Sequence, residues 1–176
     1  DMTNETLYLG ANPLNASATA VEGDYVTRDG ESFYRIANVD GMNDFFISVV
    51  SDSNHWMFIS TRGGLSAGRT DCDSALFPYY TEDKIRDNSD NTGSRTIVIA
   101  DQGGKRMLWE PFSRSHTGIY RITRNLYKNV LGDKLIFEET NHDLDLQFSY
   151  SWSTSDRFGF VKQSTIAATG LSLIHI

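Results

Sequence analysis

The sequence has little of what several classes of protein and site require. Its single cysteine, Cys72, excludes an internal disulfide framework and a cage of thiolate metal ligands. No stretch approaches the roughly 20 consecutive apolar residues that a membrane-spanning helix needs, so no membrane partner is expected. Lysine and arginine number 16 against 23 acidic residues, and the net charge of −7 argues against a nucleic-acid partner, which needs clustered positive charge.

Histidine is equally sparse and indicates no metal site. The four histidines stand singly in the sequence, without the close pairs that zinc and copper sites use; they are His55, His116, His142 and His175. The acidic and amide run at 87–91 has oxygen ligands, but it lacks the full spacing and the terminal bidentate acid of a twelve-residue calcium loop. We therefore expect no bound metal.

The overall amino-acid composition is typical of one soluble, ordered domain. The 176 residues are 39% hydrophobic, 12% aromatic and 22% charged, which is neither low-complexity nor charged enough for disorder. The last six residues, LSLIHI at 171–176, match the frame translation of the mosaic-end adapter of transposase-based sequencing libraries. We expect 1–170 to be a domain truncated from a longer chain and 171–176 to be adapter-derived. The alternative for the hexamer is a short C-terminal strand.

Alternation of apolar and polar residues predicts antiparallel strands in the C-terminal half. Residues 143–152 place leucine and aromatic side chains on one face and Asp, Gln and Ser on the other, as in a strand with one buried face. Strands at 118–129 and 134–139 precede it, and the links between the three are short. Because short links cannot join parallel neighbours, we expect an antiparallel meander.

The N-terminal half has hairpins of its own. The Asp29-Gly30 pair between 24–29 and 31–39 is a strong hairpin signal. Strands at 44–50 and 55–61 are apolar on both faces, which is typical of the centre of a layered structure. Further strands are expected at 96–100, 106–110 and 157–169.

No window combines helical apolar spacing with a capping signal, so helix is expected to be scarce or missing. Roughly ten strands in a chain of this length favour two packed sheets over one open sheet, which tends to curl or split. The prediction is therefore an all-β fold, an antiparallel two-sheet sandwich or supersandwich with little or no helix.

The connection at 62–95 is the candidate binding region. It is far longer than most connections in compact domains, and such loops are often functional. Aromatic rings lie among charged groups there; a sugar site uses both, because rings cover pyranose C–H faces and charged groups bind hydroxyls. The candidate oligosaccharide-binding residues are Arg69, Phe77, Tyr79, Tyr80, Asp83, Arg86 and Asp87. The alternative is that Phe77 and Tyr79 only pin the loop to the core.

No set of residues indicates catalysis. Glycoside hydrolysis needs two carboxylic acids flanking one bond, but Glu138 and Glu139 are neighbours on a strand and point to opposite faces. Asp143 and Asp145 share the polar face of their predicted strand, as a solvated surface would. A G-x-S-x-G elbow and a phosphate-binding loop are both missing. We expect no catalytic residue and no cofactor.

Three runs resemble the N-terminal sandwich region of large carbohydrate-active enzymes of the cellobiose-phosphorylase type. They are SDSNHWMFISTRGGLSAGR at 51–69, LFPYYTEDKIRDN at 76–88 and NLYKNVLGDKLIFEETNHDLDLQFSYSWSTSDRFGFVKQSTI at 125–166. The resemblance implies a β-supersandwich followed by a linker and an (α/α)6 helical barrel. It also implies inverting phosphorolysis or hydrolysis of β-glucosidic oligosaccharides, and it favours a cytoplasmic location.

In that family the catalytic acid lies on the barrel, so no residue here inherits a catalytic role. The resemblance implies a non-catalytic sandwich domain that contacts oligosaccharide near 76–88 and packs against the C-terminal helical barrel of the parent chain. It is compatible with a homodimer of the parent enzyme. Its rival is a free-standing carbohydrate-binding or cell-surface module. If a barrel packs against the sandwich, exposed apolar residues are expected on 44–50, 55–61 or the final strand.

Overall fold

The computed structural model describes residues 8–10, 12, 13, 20–76, 84 and 92–170. Within these residues the fold is the predicted all-β antiparallel sandwich. Its strands are joined by loops and by two short 3-10 turns, Val39–Gly41 and Cys72–Ser74. In this part of the chain no helix is long and apolar enough to cross a membrane.

The strands are numbered in chain order. They are β1 (Tyr8–Leu9), β2 (Asn12–Pro13), β3 (Glu22–Arg28), β4 (Glu31–Ala37), β5 (Phe46–Val49), β6 (His55–Ser60), β7 (Leu65–Arg69), β8 (Val98–Gln102), β9 (Lys105–Trp109), β10 (Ile122–Asn129), β11 (Lys134–Asn141), β12 (Leu146–Ser155) and β13 (Gly159–Ala168).

The strands form two main sheets. The larger has six strands in the order β13-β12-β11-β10-β4-β3, and the smaller has the order β5-β6-β7. Two-stranded sheets are formed by β1-β2 and by β8-β9. Every strand pairing is antiparallel, so the expected C-terminal meander is confirmed and continues through β13.

The main core lies between the two sheets. Register places Phe137 opposite both Leu126 and Tyr150, so these side chains share one face of the six-stranded sheet, called the inner face here. The smaller sheet covers this face with alternate residues of its own strands. The buried apolar core consists of Val39, Ile47, Val49, Met57, Ile59, Leu65, Ala67, Trp109, Leu126, Leu135, Phe137, Leu144, Leu146, Phe148 and Tyr150.

The predicted strand at 143–152 starts later than expected, because a turn occupies its first residues. β12 begins at Leu146. Asp145 has φ 53°, in the left-handed region outside the β conformation. Asp143 accepts hydrogen bonds from the backbone and the guanidinium of Arg121. The interpretation of these two aspartates as one solvated strand face is therefore wrong.

Part of the predicted loop 62–95 is a strand. β7 pairs with β6, and its first four residues are buried. A Cβ at Gly68 would come within 2.8 Å of the Trp56 ring and of the backbone after the strand. The small residue at this position therefore permits close packing of β7 against its neighbours.

β5 and β6 are buried on one face, not on both as predicted. Met57 and Ile59 face the core, whereas Phe58 points away and is 40% exposed. Apolar side chains are nevertheless exposed on or next to the strands where the sequence predicts a packing surface. Others are exposed on and beside the β8–β9 hairpin. These exposed residues are Val50 and Phe58, Val161 and Ile166 on β13, and Ile97, Ile99 and Leu108 around the hairpin.

A buried polar network lies on the opposite, outer face of the large sheet. Glu138 is 5% exposed and accepts hydrogen bonds from the Tyr127 hydroxyl at 2.7 Å, the Asn125 amide at 3.1 Å and the Arg28 guanidinium at 3.0 Å. Burial, reinforced by the bond to Glu138, raises the pKa of Tyr127 to about 12. The network ties β3 to β10 and β11.

Replacing Tyr127 should flatten the alkaline loss of stability. In the unfolded chain a tyrosine ionises near its ordinary pKa of about 10, whereas folded Tyr127 keeps its proton until about pH 12. Between these values only the unfolded state releases the proton. The free energy of unfolding therefore falls as pH rises, by at most about 1.4 kcal/mol per pH unit from this group. Tyr127→Phe should show a shallower decline in urea unfolding from pH 9 to about pH 12.

Tyr25→Phe is the matched control, because it removes a hydroxyl from a side chain that is 77% exposed. It should follow the wild-type curve. A Tyr127→Phe curve parallel to wild type would contradict the role given to this network.

Candidate functional site

The candidate site is organised by a buried carboxylate on the inner face. Glu139 is 1% exposed and accepts three hydrogen bonds. The donors are the Trp109 indole at 2.8 Å, the Phe112 backbone N–H at 2.7 Å and the Arg124 guanidinium at 2.7 Å. The same guanidinium donates to the Ser113 carbonyl at 3.1 Å. Glu139 and Arg124 together therefore hold the chain that leaves β9.

This anchoring fixes Phe112 in an unusual conformation. Its φ is 64°, in the left-handed region that non-glycine residues seldom occupy. The ring makes edge-on contacts with Phe137, Phe148 and Tyr150, with centroids 5.3–6.2 Å apart. The bond to Glu139 and this aromatic packing offset the backbone strain, which is on the order of 1–3 kcal/mol.

Phe112 borders two clefts, and both are also bordered by Arg62 and Arg114. The first has a volume of about 270 Å³ and is called the lysine cleft, since Lys162 of β13 forms part of its wall. The second has a volume of about 350 Å³ and is bordered by Asp44, among others.

The lysine cleft is formed where the sheets and the hairpin meet. The β6–β7 turn gives Arg62 and Gly63, and the segments flanking the β8–β9 hairpin give most of the other lining residues. β12 and β13 complete the cleft. Gly63 has φ 84°, and a Cβ there would lie 2.9 Å from the Tyr150 hydroxyl oxygen. Only glycine therefore lets the turn approach the floor this closely.

The rim is polar and the floor is aromatic. Phe112, Phe148 and Tyr150 form the floor, and burial raises the pKa of Tyr150 above its ordinary value, which keeps the phenol neutral. Serine and threonine side chains surround it. These hydroxyl residues are Thr92, Ser94, Thr96, Ser113 and Ser115.

The charged groups of the cleft are mainly cations. Among the described residues, the cations that line it are Arg62, Arg95, Arg114 and Lys162, and the carboxylate is Glu110. Arg95 donates twice to Glu110, at 2.5 and 2.7 Å. Arg62 donates to Asp44 at 2.5 Å. Among the described lining residues, positive charges therefore outnumber negative ones.

Most of the residues predicted from the sequence lie outside the described part of the chain; they are Phe77, Tyr79, Tyr80, Asp83, Arg86 and Asp87. Arg69 is described, at the exposed end of β7, where its guanidinium lies 3.4 Å from the Asn54 side-chain oxygen. It does not border either cleft. The prediction for this set as a binding site stays a prediction.

The cleft residues themselves were missed. The inward position of Lys162 could have been found from the sequence. Alternation along the last strand puts it on the same face as Phe160, toward the core. Phe112 and Arg114 lie in an irregular loop whose sequence has no recognisable spacing. Arg62 follows a predicted strand but joins the others only through the packing of the sheets.

The adjacent acids Glu138 and Glu139 point to opposite faces of the sheet, as predicted. Each accepts bonds from a different set of donors, so they do not form an acid pair. Among the described residues, no group of three or more His, Cys, Asp or Glu side chains could hold a metal ion. The chemistry that the lysine cleft offers is recognition by ring faces, hydroxyls and guanidinium groups.

Comparison with protein-family models finds none that matches this chain, and a search of curated proteins finds no match either. Function is therefore proposed from the geometry of the cleft together with the resemblance of the three sequence runs.

Removing the charge of Glu139 should destabilise the protein strongly. Glu139→Gln leaves the Arg124 cation, whose side chain is 15% exposed, without its anionic partner. It also places an amide NH2, which is a donor, against N–H groups that now donate to the carboxylate. Breaking a buried pair in this way costs about 3–5 kcal/mol. The measurement is the free energy of unfolding in urea, followed by tryptophan fluorescence.

Glu110→Gln is the matched control, because its partner Arg95 is 67% exposed. It should cost less than about 1 kcal/mol. Equal losses in the two variants would contradict the organising role of Glu139.

Proposed function

We propose that this chain is a non-catalytic sandwich domain of a carbohydrate-active enzyme and that it contacts oligosaccharide at the lysine cleft. The parent enzyme is a glycoside phosphorylase or hydrolase acting on β-glucosidic oligosaccharides. The observation that carries the proposal is the half-buried ring of Phe112 beneath a rim of guanidinium and hydroxyl groups. Aromatic faces cover sugar C–H groups, and the polar rim meets sugar hydroxyls.

The rigidity of the site supports binding of this kind. Phe112 is held by its own backbone bond to Glu139 and by three neighbouring rings. A ring fixed before the ligand arrives loses little conformational entropy on binding. A strained residue kept in place by its surroundings is also more common at ligand sites than elsewhere.

The resemblance to cellobiose-phosphorylase-type enzymes supplies the sugar class and the second part of the proposal, packing against a helical barrel. The exposed apolar side chains around the β8–β9 hairpin support such a contact. Ile97, Ile99 and Leu108 are 62%, 67% and 50% exposed, and Ile99 pairs directly with Leu108. An apolar cluster of this type is favourable to cover with another protein surface.

The alternative is a free-standing carbohydrate-binding or cell-surface module. It uses the same cleft, so the two functions differ in the role of the hairpin. A free module requires no partner for Ile99 and Leu108. Replacing both by serine would leave its behaviour unchanged, whereas the same change in a barrel-bearing parent chain would weaken the contact between domains.

Binding of cello-oligosaccharides to the 176-residue chain, measured by calorimetry, tests the sugar contact. Phe112→Leu keeps an apolar side chain but removes the flat ring face. It should weaken binding by about five-fold, since aromatic contacts contribute on the order of 1 kcal/mol beyond the buried area.

Phe158→Leu is the control, because this ring is 70% exposed in the β12–β13 turn and does not border the cleft. It should bind as wild type does. Tyr79→Ala and Tyr80→Ala examine the residues predicted from the sequence in the same assay. The proposal is wrong if the wild-type chain binds no cello-oligosaccharide, or if Phe112→Leu binds as tightly as wild type while remaining folded.

A further inference from the structure

The lysine cleft has an electrostatic character opposite to that of the whole protein. The chain carries a net charge of −7, yet the described residues that border this cleft include four cations and one carboxylate. Two of the cations, Arg62 and Arg95, are engaged by Asp44 and Glu110. The other two, Arg114 and Lys162, have no carboxylate within ion-pair distance among the described residues.

Lys162 is held over the cleft floor by neutral groups. Its Nζ lies 4.6 Å from the centroid of the Tyr150 ring and donates a hydrogen bond to the Ser94 hydroxyl. Burial lowers the pKa of Lys162, as expected for a cation that loses water without gaining an anion. An ammonium in this position retains donors for a ligand, since it has three N–H groups.

Arg114 stands on the same loop as Phe112 and borders both clefts. Its guanidinium makes no hydrogen bond or ion pair with the residues that the structure describes, although its backbone carbonyl accepts from Thr117. The loop itself is anchored by Glu139 and Arg124. The planar guanidinium of Arg114, with its five N–H donors, thus extends from a fixed backbone. A guanidinium held in this way is suited to binding an oxyanion.

We propose that the lysine cleft binds a saccharide that carries a negatively charged substituent, with Arg114 and Lys162 contacting the anionic group and Phe112 contacting the ring. This inference rests on the proposed function and adds the substrate class to it. Carboxylate, sulfate and phosphate substituents share the required chemistry, which is a compact group of oxygens with at least one negative charge.

The observations favour an acidic sugar over a bare inorganic anion. An ion alone would leave the aromatic side of the cleft uncovered, whereas a sugar ring covers it. A neutral sugar would bring no negative charge to the two cations that lack a carboxylate partner among the described residues, and one of them is already partly desolvated. An anionic saccharide satisfies both parts of the site.

The experiment compares matched ligands by calorimetry at low ionic strength, where screening is weak. The ligands are cellobiose, its C6 uronic acid, its 6-sulfate, its 6-phosphate, and sodium sulfate alone. At least one acidic disaccharide should bind about ten-fold or more tightly than cellobiose. Arg114→Gln and Lys162→Gln should each lower the affinity for that acidic disaccharide by a larger factor than the affinity for cellobiose, and so remove most of the advantage.

Arg157→Gln is the control, because it makes the same change of charge at an exposed residue that stacks on Phe158, outside the cleft. It should preserve the preference. Equal binding of neutral and acidic disaccharides would overturn the inference and leave the proposed function standing. Sulfate binding without saccharide binding, or no binding of any ligand, would overturn both. The affinities of the three acidic forms identify which substituent the cleft accepts.

Discussion

The arrangement of the inner face depends on one buried carboxylate. Removing an ion such as Glu139 from water costs several kcal/mol, and the cost is offset only when its oxygens are fully engaged. Here a guanidinium, an indole N–H and a backbone N–H meet that requirement together. The backbone donor belongs to Phe112, so the same interaction that satisfies the charge also sets the loop. Phe112 borders both clefts, so this carboxylate fixes one of the residues that they share.

The alternation of a strand lets two neighbouring acids serve two separate structures. Glu138 faces the outer network with Tyr127 and Arg28, and Glu139 faces the anchored loop. Each network joins segments far apart in the chain, so β11 acts as a rigid support for both faces. A site on such a support keeps its geometry before a ligand binds, which favours recognition.

The strands could be predicted from the sequence because their information is local. Alternation in the C-terminal half and the Asp29-Gly30 pair are visible within short windows. β7 was missed because the reason for its small residues, close packing against Trp56 of the neighbouring strand, is a tertiary contact. The cleft was missed for a related reason, since Arg62, Phe112 and Lys162 come from three distant segments. Their spacing in the sequence does not predict that they lie close together, because the packing of the sheets brings them together.

The acidic composition that argues against nucleic acid describes the surface as a whole and conceals a cationic cleft within it. The most direct measurement on that cleft is amide hydrogen exchange at Phe112, followed by NMR. If Glu139 holds this N–H, it exchanges slowly, with protection close to that of core strand residues such as Phe137. Exchange as fast as that of the exposed loop residue Ser115 would contradict the account.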